Sequence, residues 1–255
     1  VNASSNNMVS WNWKAGGGQG SSNTDGSINT TYTSVNTTSG FSISQYTGNG
    51  SDGATVGHGL GVSPNVVFVK RLSGGTGGWR VYHSSIHASS GETNTLTLND
   101  TDANASDIDN ISGVSATTFT TRGTGATNTN GSNFIAYCFA NKTGYSKFGD
   151  YTGNGNTDGP FIYTGFKPAF VIVKNTTASA NWVMTDNAIS FNGRGTHDSY
   201  VLFPSAANAE TDSYGLQLYS NGFAFKGSDS ASATVNGSGN IFVYMAFAEV
   251  PLVGT

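Results

Sequence analysis

The chain's 255 residues suffice for two cores of ordinary size. With 10% charged, 36% apolar and 12% aromatic residues beside 35 glycines, it reads as a folded chain, because disordered chains lack such aromatic and β-branched runs. A net charge of -4 and a pI near 5.4 provide no basic face for phosphates, which argues against nucleic acid as a partner.

No run of 18 apolar residues occurs, and the opening VNASSNN has neither the charged nor the apolar region of a signal peptide, so neither membrane insertion nor a leader is expected. Starting at Val1 rather than Met, the chain reads as processed or as part of a longer protein. The abundant Asn, Ser, Thr and Gly disfavour helix interiors, whereas Thr, Val, Tyr and Phe suit a pleated surface, so an all-β fold is expected.

In chain order, MVSWNWK at 8–14 puts Trp11 and Trp13 on one face of an expected strand. This segment looks like the closing strand of a repeat whose body is missing. Either an earlier repeat lies upstream, or the strand pairs into the first sandwich or a neighbour's. Residues 16–40 are rich in Gly, Ser and Thr and read as a linker or surface loop. FSISQYTG, from Phe41, alternates as a half-buried strand ending at the turn Gly48 to Gly50. NVVFVKR at 65–71 and WRVYH at 79–83 read as a hairpin, with Pro64 at the strand entrance where a missing amide is tolerated. Residues 96–98, 117–121 and 134–139 complete the first unit.

The same series then recurs. YTGNG stands at 46–50 and 151–155, SPNVVFVK is answered by KPAFVIVK, and Trp79 by Trp182, at near-constant offsets of about 103 to 105 residues. FIAYCFA at 134–140 is answered by IFVYMAFAE at 241–249. A repeat of about 100 residues is the size of one β-sandwich. The expected organisation is an N-terminal strand and linker over 1–40, then two tandem antiparallel β-sandwiches of jelly-roll or lectin-like type over 41–144 and 145–255. Trp79, Trp182, Phe139 and Phe247 are expected as buried core anchors that superpose. In the second unit, Ser220-Asn221-Gly222 reads as a tight turn, since Asn-Gly tolerates positive φ.

Residues able to carry chemistry are scattered. Asp100, Asp102, Asn104, Asp107 and Asp109 begin like a calcium loop, but Ala105 stands where a glycine is needed and Ile111 where a bidentate Glu should be. Calcium at Asp100 to Asp109 is left open. His83 and His87 leave a strand for a loop with no third ligand nearby and read as two surface histidines. Cys138 reads as a small buried hydrophobe, with a reactive thiol as the alternative. GHGLG at 57–61 precedes a strand rather than opening a helix, so it is no phosphate loop. No hydrolase or nucleotide-binding signature occurs. The two copies keep glycines, prolines and aromatics but share no polar cluster. The expectation is therefore a protein without catalytic centre, cofactor or metal.

With WKAGGG, YTGNG, SPNVVFVK, AYCFA, GYSKFG and KPAFVIVK in fixed order, the chain resembles, over residues 8–250, an uncharacterised repeat domain of structural proteins of marine bacteriophages. The resemblance implies a virion component, a tail fibre or other appendage or decoration protein, assembled in the host cytoplasm into an extracellular particle. Expected partners are copies of the chain itself, as a trimer, other virion proteins, and the host surface through Ser-, Thr-, Asn- and Gly-rich loops. A lectin-like glycan-binding module is the alternative, which requires an exposed aromatic platform beside amides or carboxylates. A glycan-cleaving tailspike is a third reading, and would need two suitably spaced carboxylates.

Overall fold

The computed structural model describes residues 9–86, 94–106, 110–122, 125–188, 200–227 and 232–249. Apart from a 3-10 turn at Ser84–Ile86, their regular structure is all antiparallel β. In the first half the strands are β1 (Thr30–Asn36), β2 (Phe41–Thr47), β3 (Thr55–Gly57), β4 (Val66–Arg71), β5 (Arg80–His83), β6 (Asn94–Thr97), β7 (Ala105–Ser106), β8 (Ile111–Val114), β9 (Thr118–Thr121) and β10 (Asn133–Phe139). The second half contains β11 (Ser146–Thr152), β12 (Asp158–Tyr163), β13 (Pro168–Asn175), β14 (Val183–Asp186), β15 (Tyr200–Val201), β16 (Thr211–Asp212), β17 (Leu216–Tyr219), β18 (Gly222–Lys226) and β19 (Ile241–Ala248).

The large sheet of the first half runs β1-β2-β10-β4-β5-β6-β7 and its small sheet β3-β9-β8; the second half has β11-β19-β13-β14 and β12-β18-β17. Setting aside β1 and the far strands β6 and β7, one order is repeated: β2-β10-β4-β5 answers β11-β19-β13-β14, and β3-β9-β8 answers β12-β18-β17. The duplication is thus one of strand order as well as of residues.

Each half closes a core between its large and small sheets. The first core gathers Tyr46, Val56, Val67, Val69, Phe119, Phe134, Ala136 and Cys138, and the second Tyr151, Ile162, Val171, Val173, Phe223, Phe225, Phe242 and Tyr244. The alternate residues of the same large-sheet strands form a third core. Val66 of β4, Phe139 of β10, Ile172 of β13 and Val243, Met245 and Phe247 of β19 meet back to back with Phe41, Phe148 and Trp182. Strands buried on both faces read as continuous apolar runs, which is why VVFV, FVIV and FVYMAF show so little alternation. Each large apolar side chain in this seam contributes roughly 1.5–3 kcal/mol, as in any core. Phe139 sits at its centre, 4.7 Å from Phe41, 6.2 Å from Phe148 and 5.8 Å from Phe247 between ring centroids.

Several expectations are corrected. Residues 30–36, read as linker, form β1 on the free edge of β2; their buried side chains are hydroxyls, with Thr33 Oγ1 2.8 Å from Thr30 Oγ1 and 3.1 Å from Ser44 Oγ. Hydrophobic periodicity cannot register such a strand. Residues 9–14, read as part of a strand at 8–14, join no ladder; Met8 lies outside the described residues. Trp11 and Trp13 nevertheless share a face, and both pack on Phe170 of the seam. Trp182, Phe139 and Phe247 are buried, but Trp79 is half-buried. The hairpin loop Ser220-Asn221 exists between Tyr219 and Gly222, yet neither residue takes a positive φ; Tyr214, at 70°, is the one non-glycine described residue that does.

Candidate functional site

A polar cluster occurs in both halves, contrary to the expectation that none is shared. The Tyr46 hydroxyl donates to Thr127 O (2.6 Å) and the Tyr151 hydroxyl to Val235 O (2.5 Å). Asn128, fully buried, accepts from the Asn49 amide (3.0 Å) and donates to Asn49 Oδ1 (3.0 Å) and Ser51 O (2.7 Å). Asn236 repeats this with the Asn154 amide (2.8 Å), Asn154 Oδ1 (3.0 Å) and Asn156 O (3.0 Å). The YTGNG glycines serve the same clasp: a Cβ on Gly48 would lie 2.4 Å from Thr129 O, and one on Gly153 2.3 Å from Gly237 O. Buried polar groups cost free energy unless paired, and here they pair with backbone and with the Asn49 and Asn154 side chains, so the cluster is framework.

In the described part of the acidic stretch a backbone carbonyl ties the two halves together, while Asn104 Oδ1 is buried without a hydrogen-bond partner among the described residues. Thr101 O, between Asp100 and Asp102, accepts from Lys174 Nζ (2.9 Å), the Ala180 amide (2.8 Å) and Ser179 Oγ (3.0 Å). Lys174, buried and also donating to Ala180 O (2.6 Å), thus places an ammonium beside the two acids. Burial lowers its pKa to about 8 against the opposing pull of Asp102 and Asp100. Asp107 and Asp109 lie outside the described residues, among which no group of three His, Cys, Asp or Glu could hold a metal ion.

His83 is buried rather than on the surface, because it bridges the halves. Its Nδ1 accepts from the Ser85 amide (3.2 Å), which assigns the proton to Nε2, 3.2 Å from Tyr244 O. His87 lies outside the described residues. His58 of GHGLG is locked alike between the Leu60 amide (3.1 Å) and Ser115 O (3.2 Å), and burial holds its pKa below the usual histidine range. Cys138 is fully buried and its thiol is pushed up to about 12 by burial. None of these groups faces an open site.

Two surface features remain. Where the large sheets splay apart, an apolar cleft of about 480 Å³ opens among Trp11, Trp13, Phe68, Trp79, Phe170 and Met184. The N-terminal arm lies over it, and Trp11 Nε1 donates to Asp186 Oδ2 at 2.7 Å. The second feature is the outer face of the small sheet of the second half. Phe161, Tyr163 and Tyr219 are 49, 59 and 36% exposed. Tyr163 and Tyr219 flank Gly222 on the middle strand, and Phe161 and Gln217 flank Ala224. The Phe161 ring leans over Gly222, where a Cβ would come within 2.7 Å of its Cζ, and meets the Tyr219 ring at 5.7 Å.

At the other end of the face Lys147 Nζ lies 5.5 Å from the Tyr163 ring centroid. Beside them a groove of about 350 Å³ is lined by residues 141–144, Ser146 and Lys147 and by Tyr163, Thr164 and Gly165. Register identifies the counterparts in the first half. The pair Val56–Phe119 answers Ile162–Phe223, so Thr55, Gly57 and Ser115 stand where Phe161, Tyr163 and Tyr219 do. There the segment 23–27 covers the face, with Ser27 Oγ 2.9 Å from the Thr55 amide, and a Cβ on Gly57 would collide with Asn23.

Residues 1–251 match the model of a family described as a domain of unknown function, DUF7483. The chain belongs to that family. No curated protein and no solved structure matches it. In this DUF7483 chain the duplication separates framework from surface: the tyrosine–asparagine clasp occurs twice, the aromatic face once. Sequence reasoning missed both. TNTNGSNF against VNGSGNIF carried a signal for the clasp, since Asn128 and Asn236 stand equally far before Phe134 and Phe242. For the face the available sign was GPFIYTG, whose aromatic residues stand on both sides of a buried isoleucine.

Proposed function

We propose that this chain is a structural protein of a bacteriophage virion, a tail-fibre or other appendage or decoration component. It assembles with copies of itself, as a trimer, and with other virion proteins, in the host cytoplasm. The observation that carries this reading is the third core, which welds two duplicated sandwiches back to back across a short turn into one body of four sheet layers. Such a body needs neither disulfide nor metal to be rigid. The buried tyrosine–asparagine clusters of both halves bond to backbone and to one another, which favours association over catalysis. Edge strand β12 pairs with one neighbour among the described residues, and such an edge can take a further strand in assembly, whereas the outer edge of β1 is covered by residues 21–23 of the same chain.

The reading is tested by raising antibodies to the purified chain and labelling intact particles, with the purified chain's mass measured alongside. Label on an appendage and a threefold mass are expected. Unlabelled particles, or a monomer at all concentrations, would overturn it, and sustained release of reducing ends from host-envelope glycans would show an enzyme.

The exposed aromatic face favours a second reading, in which the same protein contacts glycan on the host surface. A flat ring packs against the C–H face of a pyranose, while neighbouring amides, hydroxyls and cations bond its substituents. A clustered set of exposed aromatics on one sheet, absent at equivalent positions of the other, has no role in either core.

A further inference from the structure

The geometry points to the outer face of β12, β18 and β17, with the groove beside Lys147, as a binding track for an acidic polysaccharide. This rests on the glycan-contact reading above and adds to it a site and a substrate class. Phe161 and Tyr163 are two residues apart on one strand face, about 7 Å, so that an extended chain of sugar rings can touch both. The Phe161–Tyr219 pair therefore offers one stacking position and Tyr163 the next, with Gly222 beneath the Phe161 ring.

Charge identifies the kind of glycan. The groove that continues the track past Tyr163 is lined by Lys142 and Lys147, by hydroxyl and amide side chains and by glycines, with no carboxylate and no aliphatic side chain beyond Thr methyls. Neither lysine is in an ion pair among the described residues, whereas Lys226 at the far end of the face is neutralised by Asp158. A peptide or a second copy of an apolar surface would find little apolar contact in that groove. A sugar bearing a carboxylate or sulfate finds a stacking ring and an ammonium 5.5 Å from it. The chain's overall negative charge makes this local excess of cations more selective, since acidic polymers are repelled elsewhere.

The test immobilises oligogalacturonate, a sulfated galactan and neutral dextran and measures binding of the full chain by interferometry. Retention on one or both acidic glycans and not on dextran is expected, and the pattern tells carboxylate from sulfate. Tyr163→Ala should weaken it by about tenfold or more, as for a central stacking residue, while Tyr163→Phe retains it. Lys147→Gln should lower affinity and flatten its dependence on salt. Tyr32→Ala, an exposed tyrosine on β1, should change nothing.

Equal binding to dextran, no binding to any of the three, or an unaffected Tyr163→Ala variant would each overturn the inference. So would a Tyr163→Ala variant whose change is in oligomeric mass, which would make the face a self-association surface. Labelled particles combined with absent glycan binding would overturn this inference and leave the virion reading standing; glycan binding combined with unlabelled particles would do the reverse.

Discussion

Replacing Asn128 by Ala removes three hydrogen bonds from a side chain with no exposed surface: one accepted from the Asn49 amide and two donated, to Asn49 Oδ1 and Ser51 O. At about 1 kcal/mol net for each, the loss is about 3 kcal/mol, and the orphaned Asn49 amide and Ser51 carbonyl keep it from falling much lower. For a chain of this size that is a fall of about 6–12 °C in melting temperature. Urea unfolding should show a lower midpoint at unchanged slope, because the surface exposed on unfolding is the same. Asn236→Ala breaks the matching set and should cost about as much. A loss below about 1 kcal/mol in either variant would mean that water replaces the lost partners and that the clasp is not what holds the YTGNG turns.

Three further outcomes are expected. Trp182→Ala should cost about 3–5 kcal/mol, since the ring is buried in the seam and its Nε1 donates to Thr97 O across the halves, and Trp79→Ala should cost less than half of that; equal losses would refute the asymmetry. His58 is held neutral, with a folded pKa below its unfolded one, so its contribution to stability is complete above the unfolded pKa near 6.5 and is lost as pH falls through the folded value. Unfolding midpoints measured between pH 7 and pH 5 should therefore decline, and the decline should shrink in His58→Gln. Cys138, buried with its thiol pushed up to about 12, should not react with a disulfide reagent at pH 8 until the protein is unfolded, and prompt native-state labelling would place it elsewhere.

The chain's own repetition determined a good deal. Tyr46 and Tyr151, Pro64 and Pro168, and Lys70 and Lys174 are related by near-constant offsets, and the strand order repeats with them. The all-β class, the hairpins at 65–83 and 216–225 and the burial of Cys138 followed from alternation and turn residues, which depend on neighbours a few positions apart. Strand β1 was invisible because what it buries is Thr and Ser, whose fitness for a core depends on partners such as Ser44 that lie elsewhere in the chain.

Tertiary structure alone decided what the second faces of the large sheets do. A run such as VVFV is equally consistent with a sandwich strand and with a strand buried on both sides, and the seam core resolves it by bringing Phe139 onto Phe148 and Phe247. His83 became a buried bridge for the same reason, since Tyr244 O is 161 residues away. The aromatic face is likewise a matter of register. Phe161 and Tyr163 point outward because Ile162 takes the inward position opposite Phe223, and Gly222 lets a ring lie across it to Tyr219. Whether an aromatic side chain is core or surface depends on that pairing, which local sequence does not encode.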